Sequence, residues 1–138
     1  MTEIKFYVGR GNGLRGRLRL ACQLTQKALQ HDLHVYIHAD SSPIAEQMDV
    51  LLWEFSDESF IPHALAPDDS VPVEIGYAFE PVQRCDYLIN LSNERPAFFS
   101  RFQRMAEILD QDAEVLKKGR DRYRFYQDRG YKLDYHKL

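Results

Sequence analysis

The side chains best suited to recognition are concentrated near the end of the chain, between residues 116 and 131. Residues three and four apart share one face of a helix. One strip of a helix in this segment would therefore contain Leu116, Arg120, Tyr123, Arg124 and Gln127. Guanidinium groups bind carboxylates through paired hydrogen bonds, while a ring and an aliphatic side chain contact apolar groups. The strip suits a short acidic peptide that carries an apolar anchor.

Two other interpretations of this segment stay open. Single-stranded nucleic acid would stack its bases on the tyrosines and pair its phosphates with the arginines. A net charge of −3 and a pI near 5.9 oppose a dedicated nucleic-acid binder, whose domain is usually basic. In the third interpretation Tyr123 and Tyr126 belong to the core, and the arginines form a solvated surface.

A glycine-rich turn near the N-terminus offers a different chemistry. Gly11, Gly13 and Gly16 have the G-x-G-x-x-G spacing that admits a pyrophosphate to a helix N-terminus. An acid at the end of the next predicted strand, Asp40, lies 29 residues after Gly11, against a usual spacing of about 20. The chain also lacks room for a second mononucleotide-binding half. We therefore expect a plain turn without a nucleotide site, and keep a nucleotide-dependent enzyme as the alternative.

Other catalytic or metal-binding chemistry has little support in the sequence. No Lys-Ser or Lys-Thr follows the glycines, which excludes a P-loop, and no G-x-S-x-G elbow is present. Cys22 and Cys85 lie far apart and are expected to be buried thiols. The spacing of the histidines predicts no metal site, and no cofactor is expected. The histidines concerned are His31, His34 and His38, while His63 is expected at the edge of the core.

The elements that must position these side chains alternate along the first half of the chain. Ile4, Phe6 and Val8 share one face of a predicted strand. Ser at a cap and Pro at the first helical position indicate that Ser42-Pro43 opens a helix. The predicted order is a strand over 4–8, a helix over 14–29, a strand over 34–39 and a helix from 42 through Trp53.

Extended segments are predicted in the middle of the chain. Residues 59–63 look extended, and Pro62 favours a sheet edge because proline has no amide hydrogen. Residues 71–77 are predicted to form another strand. Residues 86–91 are almost continuously apolar, which is typical of a strand covered on both faces.

Two further helices are predicted after residue 92. Asn93 and Pro96 introduce the first, and a second over 113–127 ends near Gly130. The apolar residues in phase along the first are Phe98, Phe99, Phe102, Met105, Ala106 and Leu109. This order of elements favours an α/β fold: a single three-layer, Rossmann-like domain over 1–138, with a mostly parallel or mixed sheet flanked by helices.

Composition and charge limit the classes of function that the chain can have. The 138 residues predict one domain, and 44% hydrophobic residues are typical of a globular chain. No apolar run approaches the length of a membrane span and no signal peptide is evident, so we expect the cytoplasm. The net charge is +4 over 1–38, −12 over 39–116 and +5 over 117–138. This segregation suggests separate faces with different partners, or ends that neutralise the middle.

Several blocks of the sequence resemble, in the same order, the chi subunit of bacterial DNA polymerase III holoenzyme. The likeness spans essentially the whole chain. Its most specific parts are the Trp…Ser-Phe-x-Pro-His and Arg-x-Arg-Tyr-x-x-Tyr patterns. The blocks are Phe6-Tyr7, Leu52-Trp53 with Ser59-Phe-Ile-Pro-His63, Pro72-Val-Glu-Ile75, Asp86-Tyr-Leu-Ile-Asn-Leu91 and Arg120-Asp-Arg-Tyr-Arg-Phe-Tyr126 ending in Gly130-Tyr131.

The resemblance implies a receptor for the acidic, phenylalanine-ending C-terminal tail of single-stranded DNA-binding protein. By the motif, Arg120, Tyr123 and Arg124 would hold the tail, with Leu109 near the apolar pocket. The sequence departs from the family at Leu116, where the family's tail-binding face carries a further basic residue. That departure reduces the expected number of charge contacts.

The resemblance also implies a place in the replication machinery. The chain would be a non-catalytic accessory subunit of the clamp-loader assembly, with a nucleotide-binding-like fold that binds no nucleotide. Trp53 and Phe60 would belong to the surface that faces the psi subunit. Contact with DNA would be indirect or weak, and no membrane is involved. The alternatives remain a nucleotide-dependent enzyme and direct binding of single-stranded DNA by the basic C-terminal segment.

Overall fold

The computed structural model describes residues 1–55, 60–68, 70–78, 80–81 and 84–138. Strands and helices alternate as far as residue 54, three strands then follow one another, and one short 3₁₀ turn lies at Phe99–Arg101. In chain order they are β1 (Glu3–Val8), α1 (Leu14–Gln30), β2 (Val35–His38), α2 (Ser42–Glu54), β3 (His63–Leu65), β4 (Val73–Gly76), β5 (Tyr87–Asn90), β6 (Arg104–Leu109), α3 (Ala113–Asp128) and β7 (Leu133–Lys137).

The seven strands form one sheet in the order β3-β4-β2-β5-β6-β1-β7, and every pairing is parallel. Helices α1 and α2 pack on one face around a large apolar cluster, and α3 packs on the other face with the 3₁₀ turn. The predicted three-layer α/β fold is confirmed, with a fully parallel sheet. Parallel strands are buried on both faces because the crossover helices cover them.

β1 shows how the alternation of a strand distributes side chains between the two layers. Ile4, Phe6 and Val8 are buried on the side of α3, whereas Lys5 and Tyr7 point to the opposite side. In register with β6, Phe6 lies opposite Glu107 and Val8 opposite Leu109. The face that carries α3 is therefore floored by Phe6 and by the end of β6.

The helix predicted over residues 93–109 is wrong. The structure has only the 3₁₀ turn followed by β6, which is central in the sheet. In β6, Met105 and Leu109 face the α3 layer while Ala106 and Ile108 face the α1 layer. A strand that is buried on both faces has apolar residues at nearly every position, so helical spacing arises there by chance.

The remaining boundaries differ from the predictions in small ways. The cap of α2 is Ser41 rather than Ser42, with Pro43 in the first turn. Pro62 precedes β3, which is an edge strand as predicted, while Ser59 lies outside the described residues. Gly130, with φ +80°, follows α3 as the expected C-terminal glycine. The sequence predictions did not include β7.

Within the described residues, no helix combines the length and the apolarity that a bilayer crossing requires.

Candidate functional site

Helix α3 carries the strip that the sequence predicts. Asp112 caps its first turn by accepting a hydrogen bond from the backbone N–H of Val115 at 3.1 Å. One face of the helix is buried against the sheet at positions spaced three and four apart, namely Val115, Gly119, Arg122 and Tyr126. The adjacent flank of the helix carries the predicted strip.

A buried polar network fixes the rotation of α3 on the sheet. Glu107, in the centre of β6, is fully buried. Arg122 Nε donates to Glu107 Oε2 at 3.0 Å, and the hydroxyl of Tyr126 donates to the same oxygen at 2.7 Å. Asn90 Nδ2 donates to Oε1 at 2.9 Å. Burial raises the pKa of the Glu107 carboxyl, and the neighbouring Arg122 guanidinium opposes that rise.

A cavity of about 260 Å³ opens between α3, the end of β6 and the edge strand β7. Its lining combines aliphatic and aromatic side chains at the bottom with two guanidinium groups and an amide beside them. The lining residues are Phe6, Leu109, Leu116, Gly119, Arg120, Tyr123, Arg124, Gln127 and Tyr135. The arrangement provides an apolar hollow with positive charge beside it.

Three aromatic rings form the wall and floor of this cavity. Tyr123 meets the edge of Phe6 with ring centroids 5.2 Å apart, and Tyr135 lies 6.2 Å from Tyr123. Phe6 and Tyr135 are stacked at 6.4 Å. Such contacts hold the rings in place, so the apolar surface is present before any ligand arrives.

Arg120 and Arg124 are both exposed. None of the ion pairs formed within the described part of the chain involves either guanidinium. Their hydrogen-bond donors are therefore directed to solvent, where a carboxylate of a ligand can accept from them.

Gly119 lets α3 approach the end of β6 closely. A Cβ at this position would lie 2.5 Å from Cδ1 of Leu109, which is well inside van der Waals contact. Leu109 is itself buried and lines the cavity. The depth of the hollow thus depends on the absence of a side chain at residue 119.

The sequence matches one protein family over almost its whole length. The family model described as DNA polymerase III chi subunit, HolC, covers residues 1–134. The DNA polymerase III subunit chi of Pseudomonas aeruginosa is 38% identical, with 100% of this chain and 98% of the relative aligned. The chain belongs to the DNA polymerase III chi subunit family.

More distant relatives agree with this assignment. The subunits chi of Haemophilus influenzae and Escherichia coli are each 28% identical, and the alignments cover 94% and 89% of this chain and 92% and 86% of the relatives. The predicted resemblance is confirmed. This chi-family chain is therefore a DNA polymerase III subunit in replication, and its partners lie within the replication machinery.

All five residues predicted for the tail-binding face of this chi-family chain line the same cavity: Leu109, Leu116, Arg120, Tyr123 and Arg124. Leu116 is half-buried, so it adds apolar surface at the position expected to be basic. Tyr126 is a core residue as in the third interpretation, whereas Tyr123 is only partly buried.

Sequence reasoning missed Phe6, Gly119 and Tyr135 as parts of this cavity. Phe6 was predicted only as a strand residue, and β7 was not predicted at all. The alternation of Leu133 and Tyr135 with charged residues is the signal that indicates this strand. Gly119 carries no signal beyond being a glycine inside a helix.

A second surface of the chi-family chain lies at the other edge of the sheet. Trp53 at the end of α2 is 53% exposed, Phe60 is 68% exposed, and their ring centroids are 5.1 Å apart. His63 lies under Trp53, with ring centroids 4.6 Å apart. His63 is buried and bonded to the carbonyl oxygens of Ile61 and Asp49, as expected for a residue at the core edge.

The glycine-rich turn does not match a dinucleotide site. In the sheet β6 and β5 separate β1 from β2, which places the end of β2 about 14 Å from β1 at strand spacings of about 4.8 Å. Asp40, which follows β2, accepts a hydrogen bond from the N–H of Asn93 at 3.2 Å. The acid is therefore too far from the glycines to bind the ribose of a nucleotide held there.

Metal-binding groups are likewise scattered. His31 caps α1, His34 precedes β2, and His38 lies at the end of β2. In the ranges that the structure describes, no three His, Cys, Asp or Glu side chains come together as ligands.

Proposed function

We propose that the chain is a non-catalytic adaptor, which joins the clamp loader, through psi, to the acidic C-terminal tail of single-stranded DNA-binding protein. The tail occupies the α3 cavity, and psi contacts the Trp53–Phe60 surface. We infer that the adaptor acts in the cytoplasm, because a DNA polymerase III subunit works where the bacterial chromosome is copied. One observation carries the proposal: two exposed guanidiniums stand beside a preformed aromatic hollow.

The cavity fits the chemistry of an acidic peptide that ends in an aromatic residue. Its volume of about 260 Å³ is large enough for one side chain of that size, and its floor is apolar. Carboxylates of the peptide accept hydrogen bonds from Arg120 and Arg124, which lie one helical turn apart. The aromatic side chain packs against Tyr123 and Leu109, removing apolar surface from water.

Exposed charge pairs contribute modestly. Each of the two guanidiniums is expected to contribute up to about 1 kcal/mol, because solvent screens it. Burial of the aromatic anchor supplies about 2 kcal/mol more. These terms sum to about 4 kcal/mol, whereas a dissociation constant in the micromolar range corresponds to about 8 kcal/mol. We expect a transient micromolar contact, so further contacts along the tail must supply the difference and offset the loss of freedom on association.

The Trp53–Phe60 surface is the best candidate for the psi contact. Large aromatic residues dominate the energetics of protein interfaces, and these two are exposed in direct contact with each other. Val50, on the turn of α2 before Trp53, is also 52% exposed. Val50 and Trp53 of α2 and Phe60, which precedes β3, together form an apolar patch remote from the α3 cavity.

Calorimetric titration with an acidic peptide that ends in phenylalanine tests the tail site. Arg120→Ala and Arg124→Ala are each expected to weaken binding about fivefold, corresponding to about 1 kcal/mol. Lys118→Ala is the matched control, since it removes a cation from the same helix at a position that does not line the cavity. We expect this control variant to bind as the parent does.

Replacing the terminal phenylalanine of the peptide with alanine separates the two parts of the site. This peptide is expected to lose most of its affinity for the parent chain, because the hollow stays empty. Unchanged binding by Arg124→Ala, or equal losses in Arg124→Ala and Lys118→Ala, would show that the tail binds elsewhere.

A further inference from the structure

The α1 layer leaves part of the sheet uncovered. Lys5 and Tyr7 of β1 project to the side of α1, and Asp134 and His136 of β7 lie beside them in register. Lys5, Asp134 and His136 are exposed, and Tyr7 is half-buried. A groove therefore runs between α1 and the uncovered face of β1 and β7, on the opposite side of the sheet from α3.

Cationic side chains surround the end of this groove where the strands begin. A cavity of about 300 Å³ there is lined by Glu3, Lys5, Tyr7, Leu24, Lys27, Ala28, His31, Leu33, Tyr87, Arg104 and Met105. Lys5, Lys27 and Arg104 are exposed, and none of them takes part in an ion pair within the described residues. Against these three cations the cavity has one carboxylate, that of Glu3.

The groove continues along α1 to the glycine-rich turn. A second cavity, of about 260 Å³, is lined there by Gly9, Arg10, Gly11, Gly13, Gly16, Arg17, Arg19, Leu20, Gln23, Leu109, Asp110 and Leu138. Gln23 and Lys27 are one turn apart on α1, so the two cavities follow each other along the same face. The groove extends over the length of β1, about 20 Å at 3.3 Å per residue.

The cations at this second end are partly engaged. Arg17 pairs with the buried carboxylate of Asp110 at 3.0 Å, and Arg10 Nε donates to the carbonyl oxygen of Leu138 at 2.8 Å. Arg19 is exposed and forms no ion pair within the described ranges. A Cβ added at Gly11 would meet nothing within 4 Å, which leaves the backbone of the turn open to an approaching ligand.

Aromatic rings lie on the floor between the two ends. Tyr7 and His136 are stacked, with ring centroids 5.3 Å apart and planes 19° from parallel. The hydroxyl groups of Tyr7 and Tyr87 are hydrogen-bonded to each other, so the Tyr7 ring is held in place. Because His136 belongs to the exposed edge strand, one face of this stacked pair is open to a planar group.

We propose that this groove binds single-stranded DNA. Phosphates pair with Lys5, Lys27, Arg104 and Arg19, and a base stacks at the Tyr7–His136 pair. Cations spread along an extended groove suit a linear polyanion, and stacking on a ring suits a nucleobase without regard to sequence. DNA is the linear polyanion that a DNA polymerase III subunit encounters during replication.

An acidic peptide fits this groove less well than DNA does. The anionic groups of Glu3 and Asp134 lie among the cations, so the net positive charge is small and diffuse. Stacking has to contribute for binding to be measurable, and an acidic peptide has no planar base to supply it. We expect a dissociation constant in the range of about 10⁻⁴ to 10⁻⁶ M, typical of non-specific phosphate contacts.

Fluorescence anisotropy with a labelled oligothymidylate at low salt tests the proposal. Lys27→Gln and Arg104→Gln are each expected to weaken binding by about three- to tenfold and to lower the slope of log K against log salt by about 0.7. His136→Ala is expected to weaken binding with little change of slope, because it removes a stacking ring and none of the four lysine and arginine side chains. These side chains are exposed, so the fold should tolerate the changes.

Lys117→Gln is the matched control, an exposed cation on α3 at the other side of the sheet. It is expected to leave DNA affinity unchanged, and the groove variants are expected to bind the acidic tail peptide as the parent does. The proposal is overturned if the parent chain does not bind the oligonucleotide, if Lys117→Gln loses as much affinity as Lys27→Gln, or if polyglutamate competes as well as DNA. If only tail-peptide binding fails, the proposal for the DNA-binding groove is not contradicted.

Discussion

Gly119 is the residue whose replacement most directly tests the tail site. Alanine is a better helix former than glycine by about 1 kcal/mol, so in an open helix Gly119→Ala would stabilise the fold. Here the new Cβ would lie 2.5 Å from Cδ1 of Leu109. We expect Gly119→Ala to push Leu109 into the cavity, to destabilise the fold by about 1–3 kcal/mol and to abolish most tail-peptide binding. Urea unfolding and calorimetry measure the two effects.

The double variant Gly119→Ala/Leu109→Ala identifies the cause. Removing the Leu109 side chain relieves the clash, so the double variant is expected to be less destabilised than the sum of the two single variants. An increase in stability for Gly119→Ala with unchanged peptide affinity would contradict the close contact between α3 and β6.

Among single residues, helical spacing alone predicted several of the side chains that line the α3 cavity. Leu116, Arg120, Tyr123 and Arg124 share a face because the period of a helix is a local property of the chain. Leu109 came only from the family resemblance. Phe6 and Tyr135 could not be found in this way, because strand pairing brings them to the cavity from residues far apart in sequence.

Among the elements, β6 shows why apolar residues spaced three to four apart wrongly predicted a helix. The strand has buried residues on both faces, and Glu107 interrupts its apolar run as a polar residue on a helix would. Glu107 is tolerated only because Arg122, Tyr126 and Asn90 all donate hydrogen bonds to it. Those donors come from β5 and α3, so no local pattern reveals them. The helix α3 was predicted well because its C-terminal glycine and its amphipathic period are local.

The hydrogen bonds between Glu107 of β6 and the side chains of α3 predict that Glu107→Gln strongly lowers the free energy of unfolding. The substitution keeps an acceptor but removes the charge that compensates the Arg122 guanidinium, whose side chain is only 5% exposed. We expect a loss of about 3–5 kcal/mol in the free energy of unfolding, measured in urea. Lys118→Ala, which breaks the exposed pair with Glu114, should cost about 0.5 kcal/mol at most. Similar costs for the two variants would contradict the role of Glu107 in anchoring α3.

The burial of Cys22 on α1 predicts that this thiol reacts more slowly in the folded chain than in the unfolded chain. Burial raises the pKa of Cys22 to about 12, so below that pH the folded chain keeps this thiol protonated and unreactive. The rate of alkylation at Cys22 should therefore rise with pH towards about 12 and should increase sharply on unfolding in urea. Mass spectrometry of the Cys85→Ser variant follows Cys22 alone. Rapid alkylation of the folded variant at neutral pH would show that α1 detaches from the sheet.

In the folded molecule, the basic ends of the sequence and its most acidic segment lie towards opposite edges of one sheet. The basic ends of the chain come together, because β1 and β7 are neighbours and α3 packs over them. Residues 39–83 have ten acidic residues and no lysine or arginine, and their elements α2, β3 and β4 lie towards the other edge. This arrangement agrees with separate faces. Arg17–Asp110, Lys118–Glu114 and Arg122–Glu107 also pair the basic ends with the acidic middle, so each interpretation describes part of the molecule. The tail cavity then lies at the basic edge, and the Trp53–Phe60 surface at the acidic one.

This separation predicts that the two proposed partners bind independently. β3 and β7 are six strand spacings apart, about 30 Å, and none of the described residues that line the α3 cavity belongs to α2 or β3. Trp53→Ala is expected to weaken binding of purified psi by at least about tenfold, as for a central aromatic residue of an interface, and to leave tail-peptide affinity within about twofold. Arg124→Ala should weaken tail-peptide binding about fivefold and leave the affinity for psi within about twofold.

Calorimetry of the tail peptide in the presence of saturating psi completes this test. An unchanged dissociation constant is expected, since the parallel sheet separates the two sites and, among the described residues, the lining of the α3 cavity includes none from α2. Raising the salt concentration should weaken the tail contact, whose guanidiniums are exposed, more than a contact centred on the rings of Trp53 and Phe60. A tail affinity that changes by more than about tenfold on addition of psi would mean that the two edges are coupled, and the adaptor would then be a switch rather than a passive link.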